Sequence, residues 1–494
     1  MEFLADNSLG TLVLIVLFSA LVMAYAFEFV NGFHDTANAV VTVIYTHSLT
    51  PTQAVVWSGL WNFIGVALST GAVAFAIVAL LPIELVLHVR TEAGIAMVLA
   101  LLLSAIVWNV GTWYLGLPAS SSHTLIGSIV GVGLANSLLN GDSFGEGVNW
   151  GKVSETVVAL VTSPLIGFVC AALLLLLLRF AIRNPALYRA PEGKAPPPWS
   201  IRAVLLLTCT GVSFAHGSND GQKGMGLVML ILIALAPSTY ALNLPAAPQQ
   251  LQTILTDSRA AQPMLVAKAG TATPIADDNL ADTVLSRFLT SGKLDDQTWP
   301  ALVLKNADIA VLIGSIDKVS ELSLIERSRL RRDLYLVDGA IVKLIKYGYV
   351  TRAEAPTLEA LRAHYRPLTH YIPDWVKFSV AVTLGLGTMI GWKRVVRTVG
   401  EKIGHSHLTY AQGAAAETVA MLTIGTADVI GAPVSTTHIL SSGVAGAMSA
   451  SRAKLQRETL RNILLAWVLT LPACVLLGSV MFAGLLYAFL RLFN

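Results

Sequence analysis

Charge is what this sequence has least of. Asp, Glu, Lys and Arg make up 13% of its 494 residues, against about 25% in a typical soluble protein. With 54% hydrophobic residues and a mean hydropathy of +0.66, such a chain is built for lipid. It also lacks the apolar–polar alternation of barrel strands, which excludes an outer-membrane β-barrel. Cysteine is nearly absent: Cys170, Cys209 and Cys474 are the only three, all in apolar stretches, so neither a disulfide framework nor a zinc-type spacing is present. No basic tract accompanies the net charge of +3, and nothing suggests nucleic acid as a partner. No Lys or Arg precedes the first apolar run, only Glu2 and Asp6, the wrong flank for a cleavable signal peptide. That run is expected to be a permanent first span.

What the chain does have is apolar runs, each long enough to cross a hydrocarbon core about 30 Å thick. Candidate crossings lie at 10–44, 54–81, 93–115, 118–139, 153–180, 203–237, 375–391, 409–430, 433–450 and 462–490. The expected fold is therefore an all-α integral membrane protein of about ten crossings. As one helix the first run would measure roughly 50 Å, so a break is expected near residue 35. Lys and Arg gather in alternate loops: Arg183, Arg189, Lys194 and Arg202; Lys393, Arg394, Arg397 and Lys402; Arg452, Lys454, Arg457 and Arg461. These loops are expected to be cytoplasmic, which leaves both termini and the loops at 82–92 and 140–152 outside.

Residues 238–374 break the pattern. They hold 30 of the 63 charged residues, 15 of each sign, and the same topology puts them outside. Leu, Val and Ile recur at helical spacing through 328–350, so a small helical soluble insertion is expected; a structureless loop of this length would be exceptional. The organisation read from sequence is thus 1–200, a first membrane repeat and its cytoplasmic loop; 201–237, the start of a second repeat; 238–374, the insertion; and 375–494, the rest of the second repeat.

Two motif pairs identify the repeat. "GFHDTANA" at 32–39 aligns with "GSNDGQKG" at 217–224, and "GLPASSSH" at 116–123 with "GAPVSTTH" at 431–438. A weaker pair is "TSP" at 162–164 and "TLP" at 470–472. With five crossings in each half, the two halves must be inverted, an architecture of secondary transporters whose substrate site lies where broken helices of the halves meet. Gly, Ser and Thr also serve close helix packing. The acids argue against packing alone, because an Asp at a helix centre costs about 2.5–3.5 kcal/mol.

Each hydroxyl motif places Gly-x-Pro and then three hydroxyls where a helix begins. Free N–H groups, the positive helix end and the hydroxyls of Ser120, Ser121, Ser122, Ser435, Thr436 and Thr437 would converge on a tetrahedral oxyanion such as phosphate; for any one hydroxyl, a cap or a helix–helix hydrogen bond is the alternative. The Asp motifs suit cations. Asp35 with Asn38 and His34, and Asp220 with Asn219 and Lys223, offer oxygens to a coupling Na⁺ or a carboxylate to a proton. Lys223 either neutralises Asp220 or touches the anion. His123 and His438 are hydrogen-bonding supports or proton carriers. Glu28 and Glu417, acids within apolar runs and without an evident partner in the other half, rank behind them as proton-relay candidates.

Together these motifs resemble the signature of the inorganic phosphate transporter (Pit) family, in its bacterial low-affinity branch, over both membrane halves. The resemblance implies symport of inorganic phosphate across a bacterial inner membrane by a homodimer with no permanently bound cofactor. It further implies coupling to protons, with phosphate often carried as a neutral complex with Mg²⁺ or another divalent cation. One position departs from the family's pattern: the usual Asn before the Asp is His34 in the first half, whereas Asn219 keeps it in the second. That puts symmetric sodium sites in doubt and leans the reading toward protons. A transporter of sulfate or arsenate, or a sodium-coupled phosphate symporter, is the nearest alternative. An intramembrane enzyme using Asp35 and Asp220 is the distant one, without a Walker loop or a nucleophile–base motif to support it.

Overall fold

The computed structural model describes residues 10–493 apart from 36, 79, 81–91, 142–144, 146–147, 192 and 194, and their side chains except at 11, 12, 37, 38, 238, 492 and 493. The first half contains α1 (Thr11–Asp35), α2 (Ala37–Tyr45), α3 (Pro51–Leu68), α4 (Ala72–Val78), α5 (Glu92–Tyr114), α6 (Ser121–Asn140) and α7 (Trp150–Ala181). After α8 (Trp199–Leu235) come α9 (Pro248–Ala269), α10 (Asp278–Ser291), α11 (Thr298–Gly314), α12 (Leu324–Lys346) and α13 (Ala355–Thr369). The second half then resumes with α14 (Asp374–Met389), α15 (Lys393–Glu401), α16 (Tyr410–Val429), α17 (Thr436–Ala450) and α18 (Arg457–Phe493).

Every expected apolar run falls on a helix or a bent helix pair. Among the described residues, six helical segments are long and apolar enough to cross a membrane, and eight if the bent pairs α3/α4 and α14/α15 each count once. The other two runs fall short by that measure. Helix α17 has 15 residues, roughly 22 Å against a core of about 30 Å, and α16 carries Glu417 and Asp428. The break expected near residue 35 concerns a motif that includes residue 36, which lies outside the described residues; α1 and α2 on either side of it count together as one candidate span, Val13–Tyr45. In the second half no break occurs at the matching motif: α8 runs unbroken through it for 37 residues. The interruptions lie elsewhere, at bends of 76° between α3 and α4 and 61° between α14 and α15. Gly71 and Gly391 supply the left-handed φ, +86° and +76°, that each bend needs and that only glycine adopts freely.

Packing exchanges the halves. Helix α6 lies on α18 while α17 lies on α7; α1 lies on α14 while α3 lies on α8. Matching glycines set these approaches. A methyl at Gly131 would sit 2.1 Å from the Val475 carbonyl oxygen, and one at Gly446, equally far past its motif histidine, 2.1 Å from that of Phe168. Any larger residue would push apart helices that touch backbone to backbone. Helices α9–α13 enclose a separate core that includes Leu285, Phe288, Leu302, Leu334 and Tyr365. This region joins the rest through Lys346–Glu155, 2.7 Å apart, and a ring contact of His370 with Phe75.

Candidate functional site

The site is built at two identical joints. Helices α5 and α16 end at Gly116 and Gly431, both with φ of +69°, and the next residue bonds back five positions: Leu117 N to Thr112 O at 2.9 Å, Ala432 N to Ala427 O at 2.8 Å. This glycine stop satisfies carbonyls left free at a helix end. Two residues later Pro118 and Pro433 hold the chain out of helical geometry, and Ser120 and Ser435 then start α6 and α17 as N-caps, accepting from His123 N and His438 N at 3.2 Å each. Two of the six candidate hydroxyl oxygens are therefore committed to capping.

The next hydroxyl of each motif turns to an acid of its own half. Ser121 Oγ donates to Asp35 Oδ2 at 3.1 Å, and Thr436 Oγ1 donates to Asp220 Oδ2 at 3.4 Å. The third position differs: Ser122 Oγ donates to the Val434 carbonyl at 2.8 Å, whereas Thr437 Oγ1 crosses to Asp35 Oδ1 at 2.5 Å. Oxyanion and cation candidates, read from sequence as separate places, thus meet at one buried locus fed by two helix N-termini.

Lys223, with no exposed surface, pairs with Asp220 at 2.7 Å and reaches the Val434 carbonyl at 3.5 Å. His34 bridges Asp35 Oδ1, 3.1 Å from Nδ1, and Thr112 Oγ1, 3.2 Å from Nε2. Asn219 donates to the Ala432 carbonyl at 3.3 Å, and its Oδ1 has no partner among the described residues. His123 and His438 lie side by side, ring centres 4.7 Å apart, with His438 stacked on Trp467 at 4.1 Å. Glu28 is fully buried, with Asn31 as its side-chain hydrogen-bond neighbour and Asp220, Lys223 and Asp35 as its charged ones. Glu417 instead accepts from Thr42 and, at 2.5 Å, from Thr208. The Asn38 side chain lies outside the described residues.

Sequence reading missed His216. Its Nε2 stands 3.5 Å from Asp220 Oδ2 and 4.0 Å from Asp35 Oδ2, so it links the acids of the two halves. Nδ1 contacts Asn62 Oδ1 at 2.9 Å, and Asn62 donates to Thr388 at 3.0 Å. Asp35, His216 and Asp220 offer ligand atoms that all lie within 4.8 Å of one another, a geometry that can hold a cation. The signal lay one residue before the aligned motif. The first half reads Asn31, His34, Asp35 and the second His216, Asn219, Asp220 at the same spacing. Each half brings one Asn, one His and one Asp, with Asn and His exchanged. Asp428, which accepts from Ser218 at 2.6 Å and Gln222 at 2.5 Å, was also missed, although it is an acid inside the expected crossing 409–430, the signal that singled out Glu417 in the same run.

Residues 31–196 and 188–478 match the model of the phosphate transporter family. The chain belongs to that family. It is 41% identical to the low-affinity inorganic phosphate transporter PitB of Escherichia coli K12, over 94% of this chain and 95% of that one. It is 39% identical to a low-affinity inorganic phosphate transporter of Buchnera aphidicola from Acyrthosiphon pisum, over 95% and 96%. A solved structure described as the sodium-dependent phosphate transporter shares the fold with a TM-score of 0.50 at 19% identity, over 95% of this chain and 99% of that one. Membership in the phosphate transporter family sets the enzyme alternative aside: this is a transporter scaffold.

Proposed function

We propose that the chain is a secondary active transporter that imports inorganic phosphate across a bacterial inner membrane. It binds the anion between the N-termini of α6 and α17 and moves it together with protons. The observation that carries this reading is the meeting of both hydroxyl motifs at Asp35 and Asp220. Two helix N-termini and their hydroxyls form an oxyanion receptor. The carboxylates make it conditional: with Lys223 matching Asp220, Asp35 has only the imidazoles of His34 and His216 as ion-pair partners among the described residues, so with both neutral it faces an incoming anion as a negative charge. Two like charges 4 Å apart at an effective dielectric of 20 repel by about 4 kcal/mol. Phosphate therefore enters well only with positive charge, and this requirement is the coupling. His34 and His216 beside Asp35 suit protons. The Asp35–His216–Asp220 trio suits a divalent cation such as Mg²⁺ travelling as cargo in a neutral phosphate complex.

In this reading the chain crosses the membrane about ten times as two inverted repeats of five, places residues 238–374 and both termini outside, and works as a homodimer. The exchanged packing of α6 with α18 and α17 with α7 supports the repeat. The decisive experiment is uptake of radiolabelled phosphate by proteoliposomes under an imposed pH gradient, without sodium. Uptake that follows the gradient and is outcompeted by arsenate more than by sulfate is the expected result. Strict sodium dependence rejects the proton version and leaves phosphate transport intact; no uptake under either ion rejects the reading.

A further inference from the structure

A cavity of about 460 Å³ lies where the insertion meets the membrane helices. The insertion lines it with Arg331, Lys343, Lys346, Arg362 and Arg366, and α7 adds Lys152, against two carboxylates, Glu155 and Asp338. The pairing is incomplete. Arg362 bonds Asp338 at 2.9 Å, and Lys346 and Lys152 share Glu155 at 2.7 and 3.1 Å. Arg331 turns to the carbonyls of Ala241 and Thr369. Lys343 and Arg366 have no carboxylate in ion-pair contact among the described residues. Neighbours feel the surplus: His370 is held down at about 3, by burial first and then by Arg366, Arg331 and Arg362, and the Lys343 ammonium lies below its ordinary range through burial and Lys346.

The location gives this charge a use. The cavity floor is Ala72 of α4 with Val429, Ile430 and Gly431 at the end of α16. Gly431 opens the second hydroxyl motif, four residues before Ser435. Ala72 closes on it, so that a methyl added to Gly431 would meet Ala72 Cβ at 3.2 Å. We propose that the cavity is a second anion site, a vestibule in which the insertion captures phosphate beside the second hydroxyl motif before the Ala72–Gly431 contact opens. This deepens the transport reading and rests on it for its substrate. A cationic cleft with low-dielectric walls raises the local concentration of its anion, and the gain falls as salt rises.

The test is initial-rate phosphate uptake at low salt by the full chain in vesicles of zwitterionic lipid, comparing wild type, Lys343→Gln/Arg366→Gln and the charge-keeping Lys343→Arg/Arg366→Lys. The vestibule predicts an apparent KM raised about three- to tenfold in the neutralised variant alone, with unchanged maximal rate and a gap that closes in high salt. An unchanged KM at low salt, or an equal loss in the charge-keeping variant, overturns it. A defect seen only when anionic lipid is added assigns the cavity to a lipid phosphate headgroup and likewise overturns it. Should the wild type take up no phosphate, the transport reading fails on its own, and equilibrium binding of radiolabelled phosphate to the purified chain decides the vestibule. Weaker, salt-sensitive binding in the neutralised variant supports it, and equal binding overturns it.

Discussion

Two lysines, Lys223 beside the helix joints and Lys305 in the insertion, are both fully buried, and they are treated in opposite ways. Lys305 is saturated: Asp278, Asp282 at 2.5 Å and Asp333 at 2.9 Å surround it, and Arg332 and Arg329 bind the outer oxygens. Those three carboxylates have the spacing of a metal site, but the ammonium already occupies their centre. Lys223 has one carboxylate, and beside it the Asn219 amide oxygen has no hydrogen-bond partner among the described residues. Asp282 Oδ1 and both oxygens of Asp333 lack hydrogen bonds but each faces a cation within 4.0 Å, as expected of a buried cluster that only holds a fold. One that must exchange partners with a passing ion cannot satisfy every member, and its spare acceptors carry a cost that a purely structural site would have shed.

Substitutions break this comparison in either direction. Lys305→Met strands three carboxylates and should destabilise the insertion by about 3–5 kcal/mol. Protease should then cut 238–374 at a lower temperature, while phosphate uptake per folded molecule changes little. The reverse is expected at the joints. Asp35→Asn and Asp220→Asn each remove a charge-assisted partner worth about 1.5–3 kcal/mol, so uptake per folded molecule should fall roughly ten- to a hundredfold; melting should change little in Asp35→Asn, whereas Asp220→Asn also strands the buried Lys223 ammonium and should lower it. Near-normal uptake in both variants would remove the acids from the coupling. A third substitution sharpens the contrast through pH. The folded pKa of His370, about 3, lies below its ordinary 6.5; between these values the unfolded chain binds a proton that the folded chain refuses. Its contribution is complete above about 6.5 and shrinks on acidification by at most about 1.4 kcal/mol per pH unit. The stability of wild type relative to His370→Phe should therefore fall as pH drops from 6.5 toward 4. A difference independent of pH would show that the imidazole is not buried neutral.

Much of this architecture was legible because it rests on local chemistry. Apolar runs became helices, the Gly-x-Pro-x-Ser spacing became a glycine stop followed by an N-cap, and the charged interval became five helices with their own core. What stayed hidden depends on contacts between distant segments. The Ser121 and Thr436 hydroxyls look alike in sequence to the capping Ser120 and Ser435, and only the fold shows which pair faces an acid. Asn62 of α3 reaches His216, and Thr388 of α14 holds Asn62 in turn, with no shared motif to announce them. The bends at Gly71 and Gly391 escaped notice for a different reason: glycine is common in membrane helices, and nothing local separates a packing glycine from one with positive φ.

The smallest expected effect is also the most direct test of the central claim, that one phosphate is held by both joints. Ser121 and Thr436 already donate to Asp35 and Asp220, so binding phosphate exchanges one charged acceptor for another. The net loss on removal should be only about 0.5–1.5 kcal/mol, a few-fold to about tenfold in affinity. Phosphate affinity of the purified chain, measured by equilibrium binding for wild type, Ser121→Ala and Thr436→Val, should weaken by similar factors in the two variants. If both bind phosphate like wild type while remaining folded, the anion is not held between α6 and α17.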